Sequence, residues 1–318
     1  MIRWGINALN HGSSLAVFKD EKLISLDVSH QDEIPNDIKL TALNYGGAPD
    51  RIFWYERPWV KKSRQVYAGQ YKTAMDMSVL PKRKLKEWGL GYAPVTYTPH
   101  HTSHAAAGYY TSPFNHCAVV VLDAIGEFEC ATIWEGRHGE IKKVWSRSYP
   151  HSLGLFYSAF TQFAGLTPIK EEHILQRMAE QGYPYQFRRT VGNYFGPGVV
   201  DLEYNFHRGI GHWDDNELST LQLQCDLAAA VQERFEIEVG KVMRLAKTLT
   251  NADCLVYMGG CAMNNAANRN EVEPQFKYIW SLSNPGDPSS SIGAVTHHTK
   301  QRIRKTDWAP VKHIAINI

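Results

Sequence analysis

A pattern of three consecutive strands that occurs twice constrains the fold of this 318-residue chain most strongly. The copies run from Arg3 to Ser29 and from Cys117 to Ser148, and each reads as a strand, a polar or Gly-containing turn, a second strand, a charged hairpin and a third strand. Helical sequence follows each copy, and apolar residues recur there at spacings of three and four: Leu227, Val231, Phe235, Val239 and Val242. The pattern predicts a duplicated α/β fold with halves at residues 1–115 and 116–318, and a single mixed sheet is the alternative.

Composition narrows the class of protein. Hydrophobic residues make up 43% of the chain and charged residues 21%, which is typical of globular proteins and excludes collagen-like and disordered chains. The net charge of +2 does not by itself require a nucleic-acid partner. We find no membrane-spanning run and no signal peptide, and the 5 cysteines are odd in number and lie mostly in apolar runs. We therefore expect a cytoplasmic protein with reduced thiols and no membrane partner.

Three histidines mark the start of an Ala-rich helical segment. Residues four apart share a helix face, so His100 and His104 can bind one cation, although helix capping or backbone bonding by the histidines stays open. Asp123 follows the apolar stretch VVVL, where an ionised carboxylate costs free energy unless it is paired or bound to a metal. Asp287 is either a further oxygen ligand or an Asx-turn residue. This set predicts a divalent metal, for which iron(II), zinc and manganese are suitable.

Glycine-containing turns indicate a nucleotide site. In duplicated folds of the actin and sugar-kinase type, the turn after the first strand of each half directs backbone amides into one cleft, where phosphates are held. Those turns lie here at residues 7–14 and 123–127. Gly259 and Gly260 follow a later strand and suit the close approach of a nucleotide, with a simple tight turn as the alternative.

Two basic segments stand out, Lys61–Arg64 and Lys82–Lys86. A solvated basic face explains them most simply. Aromatic residues near the first segment leave base stacking open as a second interpretation: Trp54, Tyr55, Trp59 and Tyr67.

Eight sequence blocks, in order along the chain, together resemble the nodulation-type and antibiotic-biosynthetic O-carbamoyltransferases, whose catalytic domain is related to the tRNA threonylcarbamoyladenosine transferases. The blocks are GINALNHGSSLAVF, FWYERPWVKKSR, HHTSHAAAGYYTSPF, VVLDAIGEFECATIW, PHSLGLFYSAFTQFAG, DLAAAVQERFE, YMGGCAMNNAANRN and NPGDPSSSIGAV. The resemblance implies an actin-like, ribonuclease-H-like duplicated α/β fold with two mixed sheets flanked by helices. It also implies transfer of a carbamoyl group from carbamoyl adenylate, formed from carbamoyl phosphate and ATP, to an acceptor hydroxyl.

The resemblance also implies roles for individual residues. His100, His104 and Asp123 would hold the divalent metal, iron(II) first among the candidates, and Asp287 would complete that site or its nucleotide surroundings. His11 would be the base that removes the acceptor's proton. The residues that match the nucleotide-binding surface are Gly126, Ser152, Gly154, Gly259, Gly260 and Asn264.

The sequence departs from the family in places that matter for function. Gly12 stands after His11 where the family has Asp, and the larger members continue into a domain that makes carbamoyl adenylate, which we do not expect in this chain. A separate adenylate-forming protein would then supply the donor, unless this chain makes it alone. The expected acceptor is a sugar hydroxyl or a hydroxymethylated pyrimidine in DNA. A tRNA threonylcarbamoyladenosine transferase-like enzyme and a non-catalytic nucleotide-binding module are the alternatives.

Overall fold

A computed structural model describes residues 1–210 and 220–303, which form two five-stranded mixed sheets flanked by helices. The first sheet contains β1 (Ile2–Asn10), β2 (Gly12–Lys19), β3 (Lys22–Ser29), β4 (Arg51–Trp54) and β5 (Val95–Tyr97). The second contains β6 (His116–Gly126), β7 (Glu129–Arg137), β8 (Glu140–Ser148), β9 (Cys254–Met258) and β10 (Tyr278–Trp280).

The two sheets have the same topology. Their strand orders are β3-β2-β1-β4-β5 and β8-β7-β6-β9-β10; in each sheet the first three strands pair antiparallel and the last two join in parallel. The predicted duplicated, actin-like α/β fold is therefore confirmed, and the alternative of a single mixed sheet is wrong. The boundary at residues 115 and 116 stays a prediction.

Both predicted hairpins are present. Asp20 and Glu21 connect β2 to β3, and His138 and Gly139 connect β7 to β8, with positive φ at all four positions. Two-residue turns of this handedness match the twist of the strands that they join. Both turns predicted after the first strand of each half are shorter than expected. In the first half, β1 continues to Asn10 and β2 begins at Gly12, and in the second, β6 continues past Asp123 to Gly126, with an irregular register after Leu122.

Eleven α-helices lie within the described ranges. They are α1 (Asn36–Gly46), α2 (Pro58–Tyr67), α3 (Tyr71–Met75), α4 (Pro81–Glu87), α5 (His100–Thr111), α6 (Leu153–Phe163), α7 (Glu172–Ala179), α8 (Arg188–Gly192), α9 (Leu221–Thr250), α10 (Asn265–Ala267) and α11 (Ser290–Thr299). Local sequence explains several boundaries. Pro58 and Pro81 occupy the first turns of α2 and α4, and the Ser152 side chain caps α6.

Helices α5 and α11 lie between the sheets and position the site. All 12 residues of α5 are buried. The two helices pack in backbone contact, since a Cβ added at Gly293 would lie 1.7 Å from the Ser103 carbonyl oxygen. One core cluster surrounds these helices, and a second fills the opposite face of the second sheet beneath α6 and α9.

All five cysteines are free thiols, and four of them are buried. None of the helices in the described ranges is both long and apolar enough to cross a membrane.

Candidate functional site

Four predicted side chains converge where α5 meets the second sheet. His100 and His104 lie one turn apart on the same face of α5, Asp123 projects from β6, and Asp287 begins the short 3₁₀ turn before α11. Their ligand atoms all lie within 4.8 Å of one another. The His100 Nε2 atom is 3.1 Å from His104 Nε2, 3.2 Å from an Asp123 oxygen and 3.3 Å from an Asp287 oxygen. We call these four residues the His–Asp cluster.

The geometry and chemistry of the His–Asp cluster fit a divalent cation. Ligands bonded at about 2.1 Å to one ion are separated by about 3 Å when they are neighbours, which matches the observed spacings. Two imidazole Nε2 atoms 3.1 Å apart can share only one proton, whereas a cation would accept both lone pairs and both carboxylates. A set of two nitrogens and two oxygens suits iron(II), zinc or manganese.

The electrostatics of the cluster favour positive charge. Burial works to lower the pKa of His100, but the Asp287 charge and hydrogen bonds to the surrounding carboxylates raise it well above its usual value. Burial works to raise the pKa of Asp123, but the His100 hydrogen bond and the histidine charges lower it to about 2. The pKa of Asp287 is held well below its usual value by the same histidines, against the effect of burial. Both carboxylates are therefore ionised at neutral pH.

Sequence reasoning missed Glu56, which lies behind His100. Its carboxylate is 3.7 Å from His100 Nδ1 and 2.7 Å from the Lys61 ammonium, and only 6% of Glu56 is exposed. The signal was the same one that pointed to Asp123, an acidic residue directly after a run of buried apolar residues. His101, in contrast, faces away from the cluster, with its Nδ1 atom 3.0 Å from the Thr132 hydroxyl.

Three predicted glycines surround the cluster. A Cβ added at Gly126 would lie 2.4 Å from the His100 ring, so this glycine permits the ring to pack against β6. The Gly260 N–H donates to an Asp123 oxygen at 3.3 Å. Gly259 has a φ of +93°, and a Cβ there would lie 2.1 Å from the Leu122 carbonyl oxygen, so only glycine suits this turn.

The remaining nucleotide-surface candidates divide into two places. Ser152 donates to the Ala124 carbonyl at 2.6 Å, and a Cβ added at Gly154 would lie 2.7 Å from Ala124 Cα, so both hold the start of α6 against the turn after Asp123. Asn264 belongs to a different hydrogen-bond network from the His–Asp cluster. Its side chain is hydrogen-bonded to Gln232 and caps α10, in a buried network.

His11 is exposed at the tip of the turn between β1 and β2. Its neighbour Asn10 lies at the cluster, because the Asn10 amide donates to an Asp287 oxygen at 3.3 Å. The role of His11 as a base stays a prediction.

The aromatic residues near Lys61–Arg64 fall into two groups. Trp54 and Tyr55 are fully buried, so the idea that they stack on a base is wrong for these two. Trp59 is 62% exposed and Tyr67 is 69% exposed, and both remain accessible.

Comparison with known proteins adds the family context. Residues 59–296 match the family model of the carbamoyltransferase N-terminus. An uncharacterized protein of Synechocystis sp. is 28% identical over 95% of this chain and 58% of its own length. The nodulation protein NolNO of Sinorhizobium fredii is 21% identical over 94% of this chain and 48% of its own length. The chain thus spans about half the length of these curated relatives.

Among solved structures, component A of the (R)-2-hydroxyglutaryl-CoA dehydratase from Acidaminococcus fermentans aligns with a TM-score of 0.47 and 9% identity. The alignment covers 94% of this chain and 99% of that one.

Proposed function

Because the chain belongs to the carbamoyltransferase family, we propose that it transfers a carbamoyl group from carbamoyl phosphate or carbamoyl adenylate to an acceptor hydroxyl. The observation that carries this proposal is the convergence of four ligand side chains within 4.8 Å: His100, His104, Asp123 and Asp287. A divalent cation at this place would act as a Lewis acid toward the phosphate oxygens of the donor.

The transfer is a substitution at the carbamoyl carbon. The acceptor oxygen bonds to this carbon, the bond from the carbon to the phosphate oxygen breaks, and phosphate or AMP leaves with the electron pair. The hydroxyl proton passes to a base, for which His11 is the candidate. Two observations support His11: it is exposed to an incoming acceptor, and the adjacent Asn10 contacts Asp287.

The turns around the cluster would hold the nucleotide of the donor. Gly126 and Gly259 let these turns pack closely against the His100 ring and Leu122, and the Gly260 N–H already points at Asp123. Ser152 and Gly154 would shape the adjoining surface, since α6 begins beside the Asp123 turn. Asn264 would act indirectly by holding α10 in place.

The proposed acceptor is a sugar hydroxyl or a hydroxymethylated pyrimidine in DNA. Exposed Trp59 and Tyr67 on α2 support an acceptor that has a ring to stack on, because aromatic side chains bind both sugars and bases through their faces. The proposed donor, carbamoyl adenylate, would come from an adenylate-forming protein or from this chain acting on carbamoyl phosphate and ATP.

A reconstitution experiment tests the proposal. Purified protein is incubated with carbamoyl phosphate, ATP and iron(II), zinc or manganese, together with an aminoglycoside or hydroxymethylated DNA, and products are examined by mass spectrometry for a gain of one carbamoyl group. We expect His104→Ala to lose bound metal and transfer together. The matched control is His101→Asn on the same helix, which can keep the bond to Thr132 and should retain both. Full transfer by His104→Ala would reject the proposed site.

A further inference from the structure

Two largely buried side chains each have a hydrogen-bond donor without a protein acceptor among the described residues, where α2 contacts the second half of the chain. Arg64 is 7% exposed and Tyr149 is 8% exposed. The Arg64 Nε donates to the Glu127 carbonyl at 3.2 Å, and Nη1 donates to the Gln70 side-chain oxygen at 2.8 Å. Within residues 1–210 and 220–303, Nη2 makes no hydrogen bond and no carboxylate forms an ion pair with this guanidinium.

A chain of hydrogen bonds fixes the direction of the Tyr149 hydroxyl. Because the Gln70 oxygen accepts from Arg64, its amide nitrogen must donate to His207 Nε2, at 3.1 Å. The neutral His207 ring then has its proton on Nδ1, which donates to the Tyr149 oxygen at 3.4 Å. Asn205 also donates to this oxygen, at 2.8 Å. The Tyr149 oxygen thus accepts twice, and its own proton has no acceptor in the described part of the chain.

No carboxylate in the described ranges forms an ion pair with Arg64. The Glu127 carboxylate binds the Arg57 guanidinium and backbone N–H, and the Glu56 carboxylate binds Lys61. Burial lowers the pKa of Arg64, with Tyr149 and Glu56 opposing that effect. A buried charge without a counter-charge costs free energy, so an anion with several acceptor oxygens would satisfy both the charge and the two free donors.

We propose that Arg64 and Tyr149 form a binding site for a phosphate group at the junction of the two halves. The planar guanidinium matches phosphate oxygens in geometry, and the phenol supplies a second donor. Through its bond to Glu127, Arg64 is attached to the same β6–β7 connection that follows Asp123. The phosphate site itself does not depend on the proposed function. Only the identity of its ligand rests on that function, which would make the ligand the carbamoyl donor.

Isothermal titration calorimetry of the metal-loaded full chain tests this site with two probes, inorganic phosphate and AMP. The variants are Arg64→Gln and the matched control Arg147→Gln, whose guanidinium donates to the Val199 carbonyl oxygen. We expect Arg64→Gln to weaken binding about tenfold to a hundredfold, while Arg147→Gln matches the wild type. If Arg64→Gln weakens the binding of inorganic phosphate, the site binds a phosphate group alone. If Arg64→Gln weakens only the binding of AMP, the site binds a phosphate group that is part of a nucleotide.

A second variant, Tyr149→Phe, removes one donor and keeps Arg64, so it tests the site even if Arg64→Gln does not fold. We expect it to weaken phosphate binding several-fold with an unchanged circular dichroism spectrum. The proposal is overturned if the wild type binds neither probe, if folded Arg64→Gln and Tyr149→Phe bind both probes normally, or if Arg147→Gln is equally impaired. Because these titrations contain no acceptor, their failure is distinguishable from failure of carbamoyl transfer.

Discussion

The Nδ1 atom of His100 faces the Glu56 carboxylate at 3.7 Å, on the ring edge opposite the Nε2 atom that joins the His–Asp cluster. Lys61 holds Glu56 from the other side at 2.7 Å. A metal-ligating histidine usually donates its second N–H to a carboxylate or carbonyl, which fixes the tautomer and makes the ligand nitrogen more basic. Glu56 is placed to do this for His100.

Replacing Glu56 with Gln should weaken metal binding while the fold persists. The neutral amide keeps the size of the side chain but removes the charge that orients His100, so we expect affinity for cobalt(II) or zinc to fall about 10- to 100-fold. Titration followed by the visible spectrum of cobalt(II) measures this directly. The control is Glu172→Gln, since Glu172 accepts from Ser158 and the Ile169 N–H and touches no cluster residue. Wild-type affinity in Glu56→Gln would contradict this role.

Gly126→Ala should also weaken metal binding at the His–Asp cluster, by a steric route. The new Cβ would lie 2.4 Å from the His100 ring and 2.6 Å from the His101 ring, distances that side chains do not tolerate. The His100 ring must therefore shift away from its partners, and we expect at least about a tenfold loss of metal affinity. Gly192→Ala is the control, because nothing lies within 4 Å of its added Cβ. Equal metal affinity in the two variants would show that the ring accommodates the methyl group.

The parts of the site that could be predicted from sequence are those with a local signal. The four-residue spacing of His100 and His104 and the acidic residue on a buried strand identified three cluster members, and Asp287 was a candidate either as a further oxygen ligand or as an Asx-turn residue. Long-range contacts gave no such signal. Hydrogen bonds through Gln70 and His207 link Arg64 to Tyr149 across long stretches of the chain, and no spacing rule reveals that link.

In the fold, too, features with a local sequence signal were predictable and long-range contacts were not. Strand alternation and hairpin turns predicted both sheets, because side-chain period and turn chemistry are local properties. The position of α11 between the sheets was not predictable in that way. It depends on Gly5 and Gly293, which permit backbone contact with Ser291 and Ser103 respectively, and the sequence does not show which glycine meets which helix.

The pH dependence of stability should reflect His297. Burial, with the charges of His298 and Lys300, lowers the pKa of His297 to about 4. Between pH 4 and pH 6.5 the unfolded chain therefore holds a proton that the folded chain does not, so the free energy of unfolding rises with pH across this window. His297→Asn should flatten that rise by at most about 1.4 kcal/mol per pH unit, measured by urea unfolding at several pH values. An unchanged slope in His297→Asn would contradict this role of His297.

Glu127 stabilises the contact between the two halves through α2. Its buried carboxylate accepts from the Arg57 backbone N–H at 2.7 Å, at the start of α2, and from the Arg57 guanidinium. Glu127→Ala removes a hydrogen bond to the backbone before α2 and an ion pair together, so we expect a loss of about 2–3 kcal/mol in the free energy of unfolding. Glu129→Ala breaks only the more exposed pair with Lys143 and should cost at most about 1 kcal/mol. Urea unfolding of both variants measures the difference, and equal losses would mean that Glu127 contributes no more than a surface ion pair.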